Sequence, residues 1–122
     1  MYLFEIDRTH NRMHIMLTDH FTESEAVELL EKCKARIDEI NPDYHILCDL
    51  TSLETFEYQA KLIYTQVMDL CNATGAKKVI RIFADPMETF GMSIMSTFHY
   101  NDDVEIVSTD SFTRALKHLD NS

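Results

Sequence analysis

Glycine is nearly absent: Gly75 and Gly91 are the only two in 122 residues. Two glycines cannot build a phosphate cradle, and the chain has no G-x-G-x-x-G, no P-loop and no G-x-S-x-G. Cysteine is almost as sparse. Cys33, Cys48 and Cys71 are odd in number and widely spaced, and none forms a C-x-x-C, which argues against a disulfide scaffold or a zinc site. Each falls on an apolar face, where a free thiol behaves as a small hydrophobe. Cations are scarce too, with 11 Lys and Arg against 21 Asp and Glu and a formal net charge of -10. That balance opposes the phosphate attraction on which nucleic-acid binders rely and opposes docking on anionic membranes. An acidic surface instead keeps a small protein soluble. No apolar run reaches the roughly 20 residues of a membrane span. Glu5 and Asp7 interrupt the start of the chain and no basic leader precedes them, so no signal peptide is expected and a reducing cytoplasm is the expected compartment.

The histidines add no chemistry of their own. None of the six (His10, His14, His20, His45, His99, His118) forms a helical H-x-x-x-H pair, although His10 and His14 are four apart across a turn-to-strand boundary. His45 and Cys48 are three apart on a strand, which sends them to opposite faces. No metal, cofactor or catalytic residue is expected, and the chain does not read as an enzyme. Asp49 and Glu54 would need to converge with a histidine in one cleft to change that reading.

What is present is strong alternation of apolar strands and helices. Tyr2, Phe4 and Ile6 alternate with Leu3, Glu5 and Asp7, a half-buried strand. The polar turn 8–12 leads to Met13, Ile15 and Leu17 on a second strand, and so short a link favours an antiparallel hairpin. Thr22 and Glu25 form a capping box, followed by Ala26, Leu29, Leu30, Cys33, Ile37 and Ile40 at helical spacing. Glu28 and Lys32 add an i,i+4 pair, and Pro42 stops the helix.

The run Tyr44-His45-Ile46-Leu47-Cys48-Asp49-Leu50 reads as a strand buried on both faces. A polar loop, 51–55, then leads to a helix starting near Phe56, with Phe56, Ala60, Ile63, Val67 and Leu70 on one face and Gly75 as its left-handed cap. Residues 77–84 form another interior strand, with Arg81 near an edge or snorkelling. Asp85, Pro86 and Glu88 start a helix that runs to about Phe98. Residues 104–107 form a short strand, and a last helix after Thr109-Asp110 carries Phe112, Ala115, Leu116 and Leu119. The order β-β-α-β-α-β-α-β-α implies one α/β domain over residues 1–122, with a mixed sheet and helices packed on it.

This order and these lengths resemble the STAS domain family, the SpoIIAA-like fold of bacterial anti-sigma-factor antagonists. The resemblance runs from Phe4 to Leu119. It rests on His45-Ile46-Leu47-Cys48-Asp49-Leu50-Thr51, similar to the family's apolar run ending in Asp, Leu, Ser. It rests also on Val79-Ile80-Arg81-Ile82-Phe83 and on the closing strand Val104-Glu105-Ile106-Val107 with Ala115, Leu116 and Leu119. What the resemblance implies is a regulatory protein that works by protein–protein contact. Phosphorylation-regulated members carry Asp-Ser-[Ser/Thr]-Gly at the start of the second helix. Glu57-Tyr58-Gln59-Ala60 stands there in this chain. Gln59 has no hydroxyl to take the phosphate, so the chain is similar to the divergent SpoIIAA-like members that lack the switch.

The expected partner surface combines the second helix start (Thr55, Tyr58, Gln59) with the Met-rich third helix (Met87, Met92, Met95). Met87, Phe90, Ile94 and Phe98 form an inward stripe on that helix, and Met92 and Met95 fall outside it. Ser52 and Thr55 are the candidate phosphate acceptors, because a phosphate there would meet the positive end of the second helix. Capping or closing the turn is their simpler role. The alternative function is a lipophilic small molecule held under the Met-rich helix, and a second copy of the chain is a further candidate partner.

Overall fold

The computed structural model describes residues 1–83 and 103–120. Seven strands and three helices are described. In chain order they are β1 (Tyr2–Asp7), β2 (Arg12–Leu17), β3 (Asp19–Phe21), α1 (Glu23–Arg36), β4 (Tyr44–Leu50), β5 (Leu53–Phe56), α2 (Tyr58–Thr74), β6 (Ala76–Phe83), β7 (Glu105–Thr109) and α3 (Phe112–Asp120). Five strands form one mixed sheet in the order β1-β2-β4-β6-β7. The β1–β2 hairpin is antiparallel and the remaining pairs are parallel. The helix expected over residues 85–98, with Met87, Met92 and Met95, lies outside the described residues.

The sheet divides the core in two. On one face Met13, Ile15, Leu17, Ile46, Cys48 and Leu50 meet Ala26, Leu29, Cys33, Val67 and Cys71 from α1 and α2. Both helices lie there because β2, β4 and β6 advance in one direction across the sheet, and crossovers of one hand then stay on one side. On the other face Leu47, Ile80 and Ile82 meet Ala115 and Leu119 of α3. β4 is thus apolar on both sides, as its unbroken run predicts.

The α1 start is as expected. Glu25 N–H donates to Thr22 Oγ1 at 3.3 Å and Thr22 N–H donates to Glu25 Oε1 at 3.3 Å. The helix ends at Arg36 and a single tighter turn, Ile37–Glu39, carries the chain to Ile40. Lys32 places its ammonium over the Tyr2 ring, 4.8 Å from the centroid, so it ties the helix to β1.

Four expectations are corrected. Residues 53–56 are not loop or helix but strand β5, which pairs in parallel with β3 as a separate two-stranded ribbon. α2 therefore starts at Tyr58, and its buried face is Ala60, Tyr64, Val67, Met68 and Cys71, rotated from the expected stripe. Arg81 is neither at an edge nor snorkelling. It is 6% exposed on an inner strand, and its guanidinium donates to Ser108 Oγ at 3.0 Å. In α3, Phe112 and Leu116 face outward, while Ala115 and Leu119 carry the contact. Ser111 begins this helix, its Oγ accepting from Arg114 N–H at 3.3 Å.

Gly75 closes α2 with φ +97°, and its N–H donates to Cys71 O. An added Cβ would stand 3.0 Å from both Cα and Cβ of Pro42. Gly75→Ala therefore meets left-handed strain and a crowded backbone together. Urea unfolding is expected to show a loss of roughly 1–3 kcal/mol. An unchanged midpoint would mean that the turn relaxes freely.

Candidate functional site

The site is built where the carboxyl end of β4 hands over to β5 and α2. Asp49, next to the last residue of β4, accepts two bonds on Oδ1, from Thr51 N–H at 3.0 Å and Thr51 Oγ1 at 2.7 Å. The chain then turns through Ser52, whose carbonyl accepts from Asp19 N–H at 2.9 Å. That bond begins the β3–β5 ribbon. Phe21 and Phe56 meet at its inner end, with ring centroids 5.0 Å apart and edges against faces. Tyr64 of α2 completes the trio, 6.4 Å from Phe21 and 5.9 Å from Phe56.

Glu57 is the residue that sequence reasoning missed. It is the N-cap of α2, yet its side chain does not cap α2. Its Oε1 accepts instead from Glu23 N–H, the first amide of α1, at 2.8 Å, while its own N–H donates to Phe21 O at 3.0 Å. One carboxylate thus ties two helix starts together and leaves the α2 start without an acidic group in its first turn. The signal was legible only as an acidic residue next to an apolar helix; nothing local shows that it serves the other helix.

Thr55, Tyr58 and Gln59 stand exposed on this framework, Tyr58 at 71%. Thr55 Oγ1 is hydrogen-bonded to His20 Nδ1 across the ribbon. Ser52 is exposed at the start of β5. Thr55, Tyr58 and Gln59 thus stand together at the junction of β5 and α2, while Ser52 lies at the other end of β5. Met87, Met92 and Met95 lie outside the described residues, so the second half of the expected surface is not placed.

Other groups are spoken for. Cys48 Sγ is 3.5 Å from Tyr64 Oη under the ridge, and burial pushes its thiol up to about 11. His45 lies at the opposite, amino-terminal end of the parallel strands, in a polar cavity of about 380 Å³ with Arg12, Asp43 and Lys77. Burial holds its imidazole below the ordinary histidine range, and the cations Lys78, Arg12 and Lys77 push in the same direction. His10 Nδ1 is bonded to Asp7 Oδ2 at 2.8 Å, which with burial opposing holds that carboxylate below its usual range. Among the described residues no group of three or more His, Cys, Asp or Glu is placed to hold a metal. No described helix is long and apolar enough to cross a membrane.

Solved structures share this architecture. An uncharacterized protein of the DUF3478 family from Shewanella loihica PV-4, described as having a SpoIIAA-like fold, superposes with a TM-score of 0.74 at 15% identity, covering 97% of this chain and 93% of that one. The anti-sigma factor antagonist SpoIIAA in its unphosphorylated form gives 0.71 at 13% identity, with both chains covered in full. The fold is SpoIIAA-like. An anti-sigma factor antagonist from Mycobacterium paratuberculosis agrees at 0.60 and 8% identity, covering 98% and 95% of the two chains. No protein-family model and no curated sequence matches the chain. A SpoIIAA-like fold at such low identity speaks for the backbone and leaves the site chemistry to these residues. In this chain the second-helix start carries Glu57, Tyr58, Gln59 and Ala60.

Proposed function

We propose that this protein is a non-catalytic regulator that acts by protein–protein contact through the α2 start. The observation that carries the reading is the ridge itself. Thr55 near the end of β5, and Tyr58 and Gln59 at the α2 start, are exposed beside Glu57 and the Phe21–Phe56–Tyr64 trio. A rigid platform presenting an exposed tyrosine suits an interface, where Tyr is enriched among the residues that carry binding energy. The likeness in fold to anti-sigma-factor antagonists supports a regulatory partner by analogy. Gln59 cannot accept a phosphate, so the contact is constitutive at that position. Ser52 and Thr55 are the exposed hydroxyls before α2 that would carry a phosphate in its place. Three free thiols suit a reducing cytoplasm.

The test is a photo-crosslinking amino acid at position 59, with position 34 on the exposed side of α1 as control, in the protein's own cells. A discrete adduct with one partner chain is expected at 59 and not at 34. Tyr58→Ala should weaken that partner's affinity about tenfold or more, or roughly 1.4 kcal/mol. Equal adducts at both positions would overturn the reading, as would a small-molecule adduct alone.

A further inference from the structure

Among the described residues, the face of the sheet away from α1 and α2 is covered by α3 over part of its width. Ala115 and Leu119 of α3 seal Leu47, Ile80 and Ile82. Toward β1 and β2 no described helix continues that cover. Leu3 is 43% exposed, Met16 37% and Phe112 51%. These side chains and Leu47 wall an apolar hollow of about 300 Å³ between α3 and the hairpin. Leu116, also exposed, stands one helical turn on from Phe112.

The hollow is polar at defined points. Glu5 and Asp49 bring carboxylates to it, and no Lys or Arg among the described residues lines it. His14 lines it as well. An apolar floor with two carboxylate residues and no cation among the described lining residues selects for an apolar occupant that carries positive charge.

We infer that this groove docks a basic amphipathic helix from a partner protein, laid beside α3 so that the helical layer extends over β1 and β2. Helices settle roughly 8–10 Å from such neighbours, a spacing at which apolar side chains of the occupant reach Leu3, Met16 and Phe112. A second copy fits poorly, because it would set Glu5 and Asp49 against another chain of net charge -10. An anionic lipid surface fails for the same reason of sign. This surface lies on the other side of the sheet from the α1–α2 layer and stands independently of the contact at Tyr58.

The probe is a fluorescein-labelled Leu/Lys amphipathic helix of about 18 residues, roughly 27 Å long, compared with a scrambled peptide of identical composition. Fluorescence anisotropy is expected to show the ordered helix binding at least about tenfold tighter than the scrambled one. Met16→Lys and Leu3→Lys, both at exposed positions and checked by circular dichroism, should each remove about tenfold. Glu5→Lys should weaken binding in a salt-dependent way. Tyr58→Ala should leave it unchanged, which separates this groove from the α2 ridge. Equal binding of the scrambled peptide would overturn the inference, and so would insensitivity to both lysine substitutions. A dimer in sedimentation that Leu3→Lys dissolves would assign the groove to a second copy instead.

Discussion

Replacing Phe21 with Ala is expected to lower the unfolding free energy by about 3–5 kcal/mol. Phe21 is fully buried and touches both β5, through Phe56, and α2, through Tyr64. Its carbonyl also receives the Glu57 N–H. The loss therefore reaches the proposed contact ridge. Hydrogen exchange at the Glu57 amide should quicken more than exchange within β4, whose partners β2 and β6 are untouched. Phe112→Ala is the matched control. That ring is half exposed, and its removal should shift urea unfolding by no more than about 0.5 kcal/mol. Equal costs at the two positions would show that the β3–β5 ribbon is not anchored by the aromatic trio.

The second large effect is alkaline. Burial pushes the Cys33 thiol up to about 12, Cys48 to about 11 and Cys71 to about 12, from an ordinary 9.0. In each case the low-dielectric interior penalises the thiolate. Tyr44 is raised in the same way, above all by burial, while its hydroxyl donates to Cys71 O at 3.2 Å. The native chain thus keeps protons that the unfolded chain gives up, and stability falls as pH rises above the unfolded value. One unit above that value, each thiol costs about 1.4 kcal/mol, or about 4 kcal/mol for the three together. The loss should continue until the folded values are passed at about 11–12. Urea midpoints between pH 8 and 10.5 check this, and Cys71→Ala should flatten the slope by about a third after its constant cost is removed. A flat profile across that range would mean that the thiols reach solvent in the native state. Thiol alkylation at pH 8 should agree, running about a thousandfold or more slower than in urea, because reaction waits on opening.

Much of the architecture could be read from local chemistry. The Thr22–Glu25 box, the unbroken run of β4, and Gly75 at the end of α2 each act over a few residues, and each is found in place. The hairpin followed because its connection is too short for a crossover. Thr55, Tyr58 and Gln59 were expected at a helix start; α2 begins two residues beyond the expected place, so Tyr58 and Gln59 open it while Thr55 lies in β5. Residues 51–55 read as loop because a strand of four, with Glu54 and Thr55 in it, has no period to detect. Arg81 read as peripheral because a charge on an inner strand is an exception to burial rules. The groove was not legible at all, since the helix pattern assigned Phe112 and Leu116 to the core.

The sequence determined what depends on neighbours along the chain: element type, caps and turns, which faces are apolar, and the acidic, thiol-reduced character of the molecule. The tertiary structure decided whatever depends on residues distant in sequence. Asp19–Phe21 becomes a strand only because Leu53–Phe56 arrives beside it. Glu57 serves α1, 34 residues earlier, in place of its own helix. Phe112 and Leu116 are left outside because Ala115 and Leu119 already fill the space over Ile80 and Ile82. Local propensity is set by steric and hydrogen-bond terms within a turn, whereas pairing and burial are shared among segments that meet only once the chain has folded.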